Sequence, residues 1–176
     1  MKNARIVNRN GQVIPASSNI AEDKKLMGNF TPKLMYGWSH TFKYRNFDAS
    51  INMHGWCGFD VYNTYAMSLG ISGRNGECNV LKAAYDTFSH IKDEKLMSNY
   101  YLEDGSFLKI DAITLGYLFP LRTHTKDFVE SLRLYFTAGN LATITGYTGL
   151  DPEIDIVGYD GGIDNYQNAY PMTRTF

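Results

Sequence analysis

The sequence predicts an all-β fold: an antiparallel up-and-down run of about four strands, of the kind that makes part of a transmembrane β-barrel. Three observations carry this. Segments 106–119 and 131–139 each have about the length of a tilted strand crossing a bilayer. Both alternate along the chain, with aromatic residues near their ends. The connections between strand-like segments run short, long, short, long, the asymmetry of outer-membrane barrels. A soluble antiparallel sheet shows the same alternation, so the pattern alone leaves both environments open.

Taken in order, residues 1–32 are polar and rich in turn signals, with a short hairpin expected around Asn10-Gly11. From Lys33 to Trp56 the chain reads as a strong hairpin. Leu34, Tyr36, Trp38, His40 and Phe42 share one face of its first strand. After a tight turn at Lys43–Asn46, Phe47, Ala49, Ile51, Met53 and Gly55 share one face of the second, against a polar Asp48, Ser50, Asn52 and His54. Residues 57–105 form a connection too long for a hairpin loop. Within it, Val80, Ala84, Phe88 and Ile91 fall at helical spacing and predict a short amphipathic helix.

In the next strand, Phe107, Lys109, Asp111, Ile113, Leu115, Tyr117 and Phe119 are expected on one face. Leu108, Ile110, Ala112, Thr114, Gly116 and Leu118 are expected on the other. A shorter connection opens at Pro120. The following strand sets Leu132, Leu134, Phe136 and Ala138 against Arg133, Tyr135, Thr137 and Gly139. Residues 141–169 read as a Gly- and Asp-rich loop, and a further strand is expected from about 170.

Composition narrows the function classes. Aromatic residues make up 14% of the chain, which suits interfacial girdles or a glycan-binding surface. Mean hydropathy is −0.31 and no apolar run approaches the length of a spanning helix. A net charge of −1 with no basic stripe argues against nucleic acid as a partner. Cys57 and Cys78 fit no zinc spacing; a disulfide between them is open outside the cytoplasm, and two free thiols are the expectation. His40, His54, His90 and His124 are scattered, with no ligand spacing among them, and no P-loop, nucleophile elbow or zincin pattern occurs. No enzyme activity, metal or cofactor is expected.

The candidate site is the polar set Asp48, Ser50, Asn52 and His54. If Phe47, Ile51 and Met53 face lipid, these four line a lumen, where they meet hydrated substrate or pack against another part of the protein. Trp38 and Trp56 are expected at membrane–water interfaces, though with Phe59, Tyr62 and Tyr65 they could also stack on sugars. Asp151, Glu153, Asp155, Asp160 and Asp164 form an acidic loop without the spacing of an EF-hand, and read as solvated surface sooner than as a calcium site.

Several separate motifs then agree with one family. Tyr101-Leu102-Glu103-Asp104-Gly105-Ser106-Phe107-Leu108-Lys109, with Ile113-Thr114-Leu115-Gly116-Tyr117, resembles the C-terminal barrel of SusC/RagA-type TonB-dependent transporters. So do Gly139-Asn140-Leu141, Thr143-Ile144-Thr145-Gly146-Tyr147 and Gly149-Leu150-Asp151-Pro152-Glu153. Gly28-Asn29-Phe30-Thr31-Pro32-Lys33, Phe47-Asp48-Ala49-Ser50-Ile51 and Gly58-Phe59-Asp60-Val61-Tyr62-Asn63 are similar to the preceding hairpin.

The resemblance implies an outer-membrane barrel of the roughly 22-stranded, plugged kind. Such a barrel imports glycans or peptides with energy from TonB, beneath a SusD-like surface lipoprotein and surrounded by outer-membrane lipid. Residues 1–176 are then expected to be a partial C-terminal region of the barrel, with the plug domain and final strand absent, unable to transport alone. The start MKNARIVNRNGQVIPASS has no apolar signal region, which fits a piece of a longer chain. The turns near 43–46 and 120–130 are expected to be periplasmic, and the loops at 57–105 and 141–169 extracellular. The competing expectation is a soluble exported glycan-binding β-sandwich, supported by aromatics and alternation alone.

Overall fold

The computed structural model describes residues 10, 12, 26–89, 97, 99–120, 131–164 and 172–176. Gly11 of the expected N-terminal turn, His90, Ile91, His124 and the 121–130 connection lie outside them. Among the described residues the strands are β1 (Leu34–Tyr44), β2 (Phe47–Cys57), β3 (Asp60–Asn63), β4 (Leu102–Asp104), β5 (Phe107–Pro120), β6 (Ser131–Thr145) and β7 (Ile163–Asp164), with one α-helix, α1 (Thr64–Leu69), and short 3-10 turns. The long strands form a four-stranded sheet in the order β1-β2-β5-β6, antiparallel throughout. The short ones form a separate three-stranded sheet, β4-β3-β7. No helix among the described residues is long and apolar enough to cross a membrane, which says nothing of strands.

The β1–β2 hairpin closes through Arg45 and Asn46, with Tyr44 opposite Phe47 and Arg45 at φ 52°. Such a two-residue connection with positive φ matches the right-handed twist of the flanking strands. Residues directly opposite each other in an antiparallel pair share a face, so the register fixes both surfaces of the sheet. The outer surface is the run Tyr36, Trp38, His40, Phe42 and Tyr44 on β1. It continues through Phe47, Ala49, Ile51 and Met53, then Ile110, Ile113, Leu115 and Tyr117, then Leu132, Leu134, Phe136 and Ala138.

One expectation about these faces is overturned. The pairing of β5 with β2 slips at Asn52/Met53: Asn52 sits opposite Ala112, and Met53 opposite Ile110. Asp111 is therefore an extra residue, a β-bulge, and alternation reverses across it. Phe107 and Lys109 lie on the inner surface with His54 and Trp56, not with Ile113, Leu115 and Tyr117. A matching slip on β6 falls at the same level, where Asn140 adopts φ 50°. Beyond it β6 runs on to Thr145, so the expected strand end at Gly139 is too early. Ala142 and Ile144 then resume the outer surface opposite Ile110 and Leu108.

The expected helix over Val80–Ile91 is also corrected. Its described part holds only a short 3-10 turn at Lys82–Ala84, while the α-helix lies upstream at Thr64–Leu69. So short a helix depends on capping and packing more than on its own apolar spacing. Asn63 supplies the cap: its side-chain oxygen accepts from the Ala66 N–H at 2.7 Å, and the residue is itself buried. At the other end of the chain, Thr175 forms an antiparallel bridge to Gly139, so 172–176 runs beside β6 where a further strand was expected.

The packed core lies at the long-loop end and on the inner side. Phe59, Val61, Phe107 and Tyr147 form it, with Trp56 and Ile154 against them. Phe107 and Trp56 come from the wall strands β5 and β2, while the others come from the loops or their small sheet. The loops thus fold inward over the wall.

Candidate functional site

The inner surface of the sheet is where the sequence-predicted residues meet. Asp48, Ser50, Asn52 and His54 share it with Lys43, Thr41 and Ser39 of β1 and with Gly116, Thr114 and Ala112 of β5. Arg133, Tyr135 and Thr137 of β6 extend it. The grouping expected from period-2 alternation is what the register produces, and each member has its own surroundings.

Near the tight turn, Asp48 reaches across β5 to Arg133 of β6, its carboxylate accepting from Nε at 3.2 Å and from a terminal guanidinium nitrogen at 2.5 Å. Gly116 makes this crossing possible: a Cβ there would stand 2.6 Å from the Asp48 carboxylate. Arg133 also lies over the Tyr135 ring, 5.7 Å from its centroid. Further along, the Ser39 hydroxyl donates to the Asn52 side-chain oxygen at 2.6 Å, and the Thr114 and Thr137 hydroxyls pair at 3.0 Å. This half of the inner surface is a hydroxyl- and amide-lined wall, with Asn52 and Thr137 exposed.

Toward the long loops the chemistry changes. His54 lies between two carboxylates: Nδ1 is 2.8 Å from Asp111, and Nε2 is 3.3 Å from Glu153. Lys109, only 2% exposed, contacts Asp151 at 2.9 Å and Glu153 at 2.6 Å, with its ammonium 5.5 Å from the Phe107 ring centroid. Asp151 and Glu153, expected as solvated loop residues, are turned onto the wall instead. Sequence reasoning missed this cluster because its members are far apart in the chain and because the bulge hides the facing of Lys109. The Asp151-Pro152-Glu153 motif was visible, but not its partner.

A second network, buried at Asn63, Tyr147 and Asp164, ties the loops to each other. Asn63 donates to Glu103 at 2.9 Å and to Thr148 at 3.2 Å, and the Thr148 N–H donates to Glu103 at 2.8 Å. The Tyr147 hydroxyl donates to Asp164 at 2.5 Å, and Thr64 donates to the Asp164 carbonyl. Burial pushes the Tyr147 hydroxyl far above its ordinary range, reinforced by Asp164, Glu103 and Asp151. Asp164 is raised by burial, with Asp151 and Glu103 adding to it and the hydrogen bonds from Tyr147 and the Leu150 backbone opposing. Burial likewise holds the nearby Tyr101 at about 12, with Tyr62 and Tyr100 adding to it.

The remaining candidates separate. Trp38 lies near the middle of β1 on the outer surface, stacked on His40 at 5.6 Å. Trp56 faces inward, 5.4 Å from Phe107 and 5.9 Å from Phe59, inside the loop core and away from any outward belt. Phe59 is 2% exposed and has no face for a sugar. Cys57 and Cys78 are free thiols. Among the described residues no group of three or more His, Cys, Asp or Glu is arranged to hold a metal.

No protein-family model matches the chain. Curated relatives do. It is 32% identical over 178 residues to the TonB-dependent receptor SusC of Bacteroides thetaiotaomicron, covering 97% of this chain and 16% of that protein. It is 28% identical over 171 residues to TonB-dependent receptor P3 of Formosa agariphila, covering 88% of this chain and 16% of that one. The chain therefore spans about a sixth of the length of these relatives.

Among solved structures, the RagAB peptide transporter matches with a TM-score of 0.65 and 21% identity, over 97% of this chain and 20% of that one. The RagAB peptide importer in its closed-closed state matches with a TM-score of 0.63 and 22% identity, over 96% and 19%. At such identity these structures establish the fold: four contiguous strands of a much larger barrel wall. With the likeness to the named receptors running along nearly the whole sequence, the chain belongs to the SusC/RagA-type family of TonB-dependent receptors.

Proposed function

We propose that this chain forms part of the wall of an outer-membrane, TonB-dependent transporter that imports a nutrient, either a glycan or a peptide. The observation that carries the reading is the outer surface of the sheet, where large apolar side chains stand uncovered: Phe47 is 60% exposed, Leu134 59% and Phe136 54%. Water does not select such a surface, whereas lipid does. A soluble sandwich would need a second sheet over this face, and none covers it among the described residues.

Residues 1–176 take the place of a C-terminal part of the barrel, with the plug and the strands that complete the wall supplied by the rest of the transporter. Asp48, Ser50 and Asn52 line the lumen, meeting hydrated substrate or the plug. The tight turn after Tyr44 is periplasmic, and the loops at 57–105 and 141–169 are extracellular, positioned to meet a SusD-like lipoprotein. TonB supplies the energy through the plug.

Deleting the gene in its own bacterium and supplying peptides or defined glycans as sole nutrient tests this. Growth is expected to fail on one class, and to fail equally when TonB is removed. Unimpaired growth on both classes, with the protein absent from the outer-membrane fraction, overturns the reading.

A further inference from the structure

We propose that Lys109 is a positioning residue that bolts the 147–164 segment to the inner wall and so sets how far that segment covers the passage. The functional consequence rests on the import reading; the bolt itself does not. The backbone is built to deliver this side chain. Without the extra residue at Asp111, strict alternation would aim Lys109 outward beside Ile113 and Leu115, into lipid. The bulge turns it inward, and Asp111 is freed to hold the His54 ring at 2.8 Å.

The wall then offers Lys109 and the His54 ring that Asp111 holds, and the segment answers with Asp151 and Glu153. Glu153 lies against both Lys109 and His54, one carboxylate oxygen to each. The segment's pair is preset as well, because Asp151 accepts from the Glu153 N–H at 2.9 Å. The ends of the segment are fixed independently. Tyr147 is packed in the core, and Ile163 and Asp164 pair in parallel with Tyr62 and Asn63. Between those anchors the ion pairs to Lys109 and the His54–Glu153 contact tie the segment to the wall, while Val157 and Tyr159 beyond them are exposed.

An ammonium buried to 2% with two carboxylates is a costly way to fill space that Met or Leu would fill as well. What it adds is a fixed geometry that is lost when one partner is removed. The test uses the intact membrane-embedded protein. Lys109→Met is expected to speed amide exchange across 151–157 by about tenfold or more, while β1 and β2 are unchanged. Lys109→Arg is expected to restore protection, and so is the exchanged pair Lys109→Glu with Glu153→Lys. If Lys109→Met fails to assemble, Asp151→Asn with Glu153→Gln leaves the wall intact and is expected to give the same loosening. Unchanged exchange in the variants that assemble overturns the bolt.

Covering is read separately. Thr143 lies opposite Lys109 on β6, and Thr143→Cys in a Cys57→Ser, Cys78→Ser background reports access from the cell surface to a bulky maleimide. Labelling is expected to rise several-fold with Lys109→Met, and labelling that does not change refutes the covering role. Both readouts are obtained without any transported nutrient, so a failure of the bolt and a failure of the import reading are told apart.

Discussion

The two surfaces of the four-stranded sheet invert the usual rule of burial. On the outer surface Phe47, Leu134 and Phe136 are more than half exposed, and β1 is exposed along its whole length. On the inner surface, near the long loops, the longest charged side chain of β5 is almost completely enclosed. In a water-soluble domain the apolar side would be covered and the lysine solvated. The contrast teaches that this sheet is solvated by two different media, and that only the inner one is managed by the chain itself.

The sharpest way to break that contrast is to place one charge on either side of a single strand. Leu115 and Thr114 are neighbours on β5, one outer and one inner. Leu115→Arg is expected to destabilise the assembled barrel by about 2–4 kcal/mol, and Thr114→Arg by under about 1 kcal/mol. Denaturant midpoints of the protein folded into lipid vesicles check this. Equal losses would mean that lipid does not meet the outer surface.

How much of this was legible beforehand depends on where local rules hold. The β1–β2 hairpin was readable because Trp38, Phe42, Ile51 and Met53 alternate without interruption and a tight turn joins them. Asp111 shows why the rest was not. A bulge costs one residue and reverses every later assignment, yet no residue type announces it. Two apolar runs in opposite phase, Leu108-Ile110 and Ile113-Leu115, were its signature, readable once β2 and β6 supply the register. The helix was misplaced for a related reason: Asn63 is a good cap only because Glu103 and Thr148, far along the chain, hold its amide. For His54, period-2 spacing gave the face correctly and said nothing of the carboxylates around it.

Within the enclosed inner region, Tyr147→Phe sharpens the comparison next. It removes the donor to Asp164, whose Oδ1 already lacks a hydrogen-bond partner among the described residues. A cost of about 1–3 kcal/mol is expected, because a buried carboxylate loses its donor. Exchange protection of β3 and β7 should fall while β1 is untouched. In the open half of the same surface, Gly116→Val forces Asp48 away from Arg133. There water can replace the lost partner, so the expected effect is smaller and screened by salt. A loss as large as that of Tyr147→Phe would show that the lower wall is as dry as the upper.

Asp164 provides the finest test, because its protonation separates an enclosed site from a wet one. Its folded-state pKa is raised by burial, so the neutral acid is the form the fold prefers. A group raised in this sense stabilises fully below its unfolded value of about 3.9, and the contribution is lost as pH rises through the folded value. Local stability of the β3–β7 pairing is therefore expected to decline as pH climbs out of the acid range. Asp164→Asn keeps an oxygen for the Tyr147 hydroxyl and removes the repulsion from Asp151 and Glu103. It should flatten the decline, leaving the pairing slightly more stable at neutral pH, by a few tenths of a kcal/mol up to about 1. Amide exchange at Tyr62 and Ile163, followed against pH in both proteins, decides it. Parallel curves would mean that water reaches Asp164 through the loops.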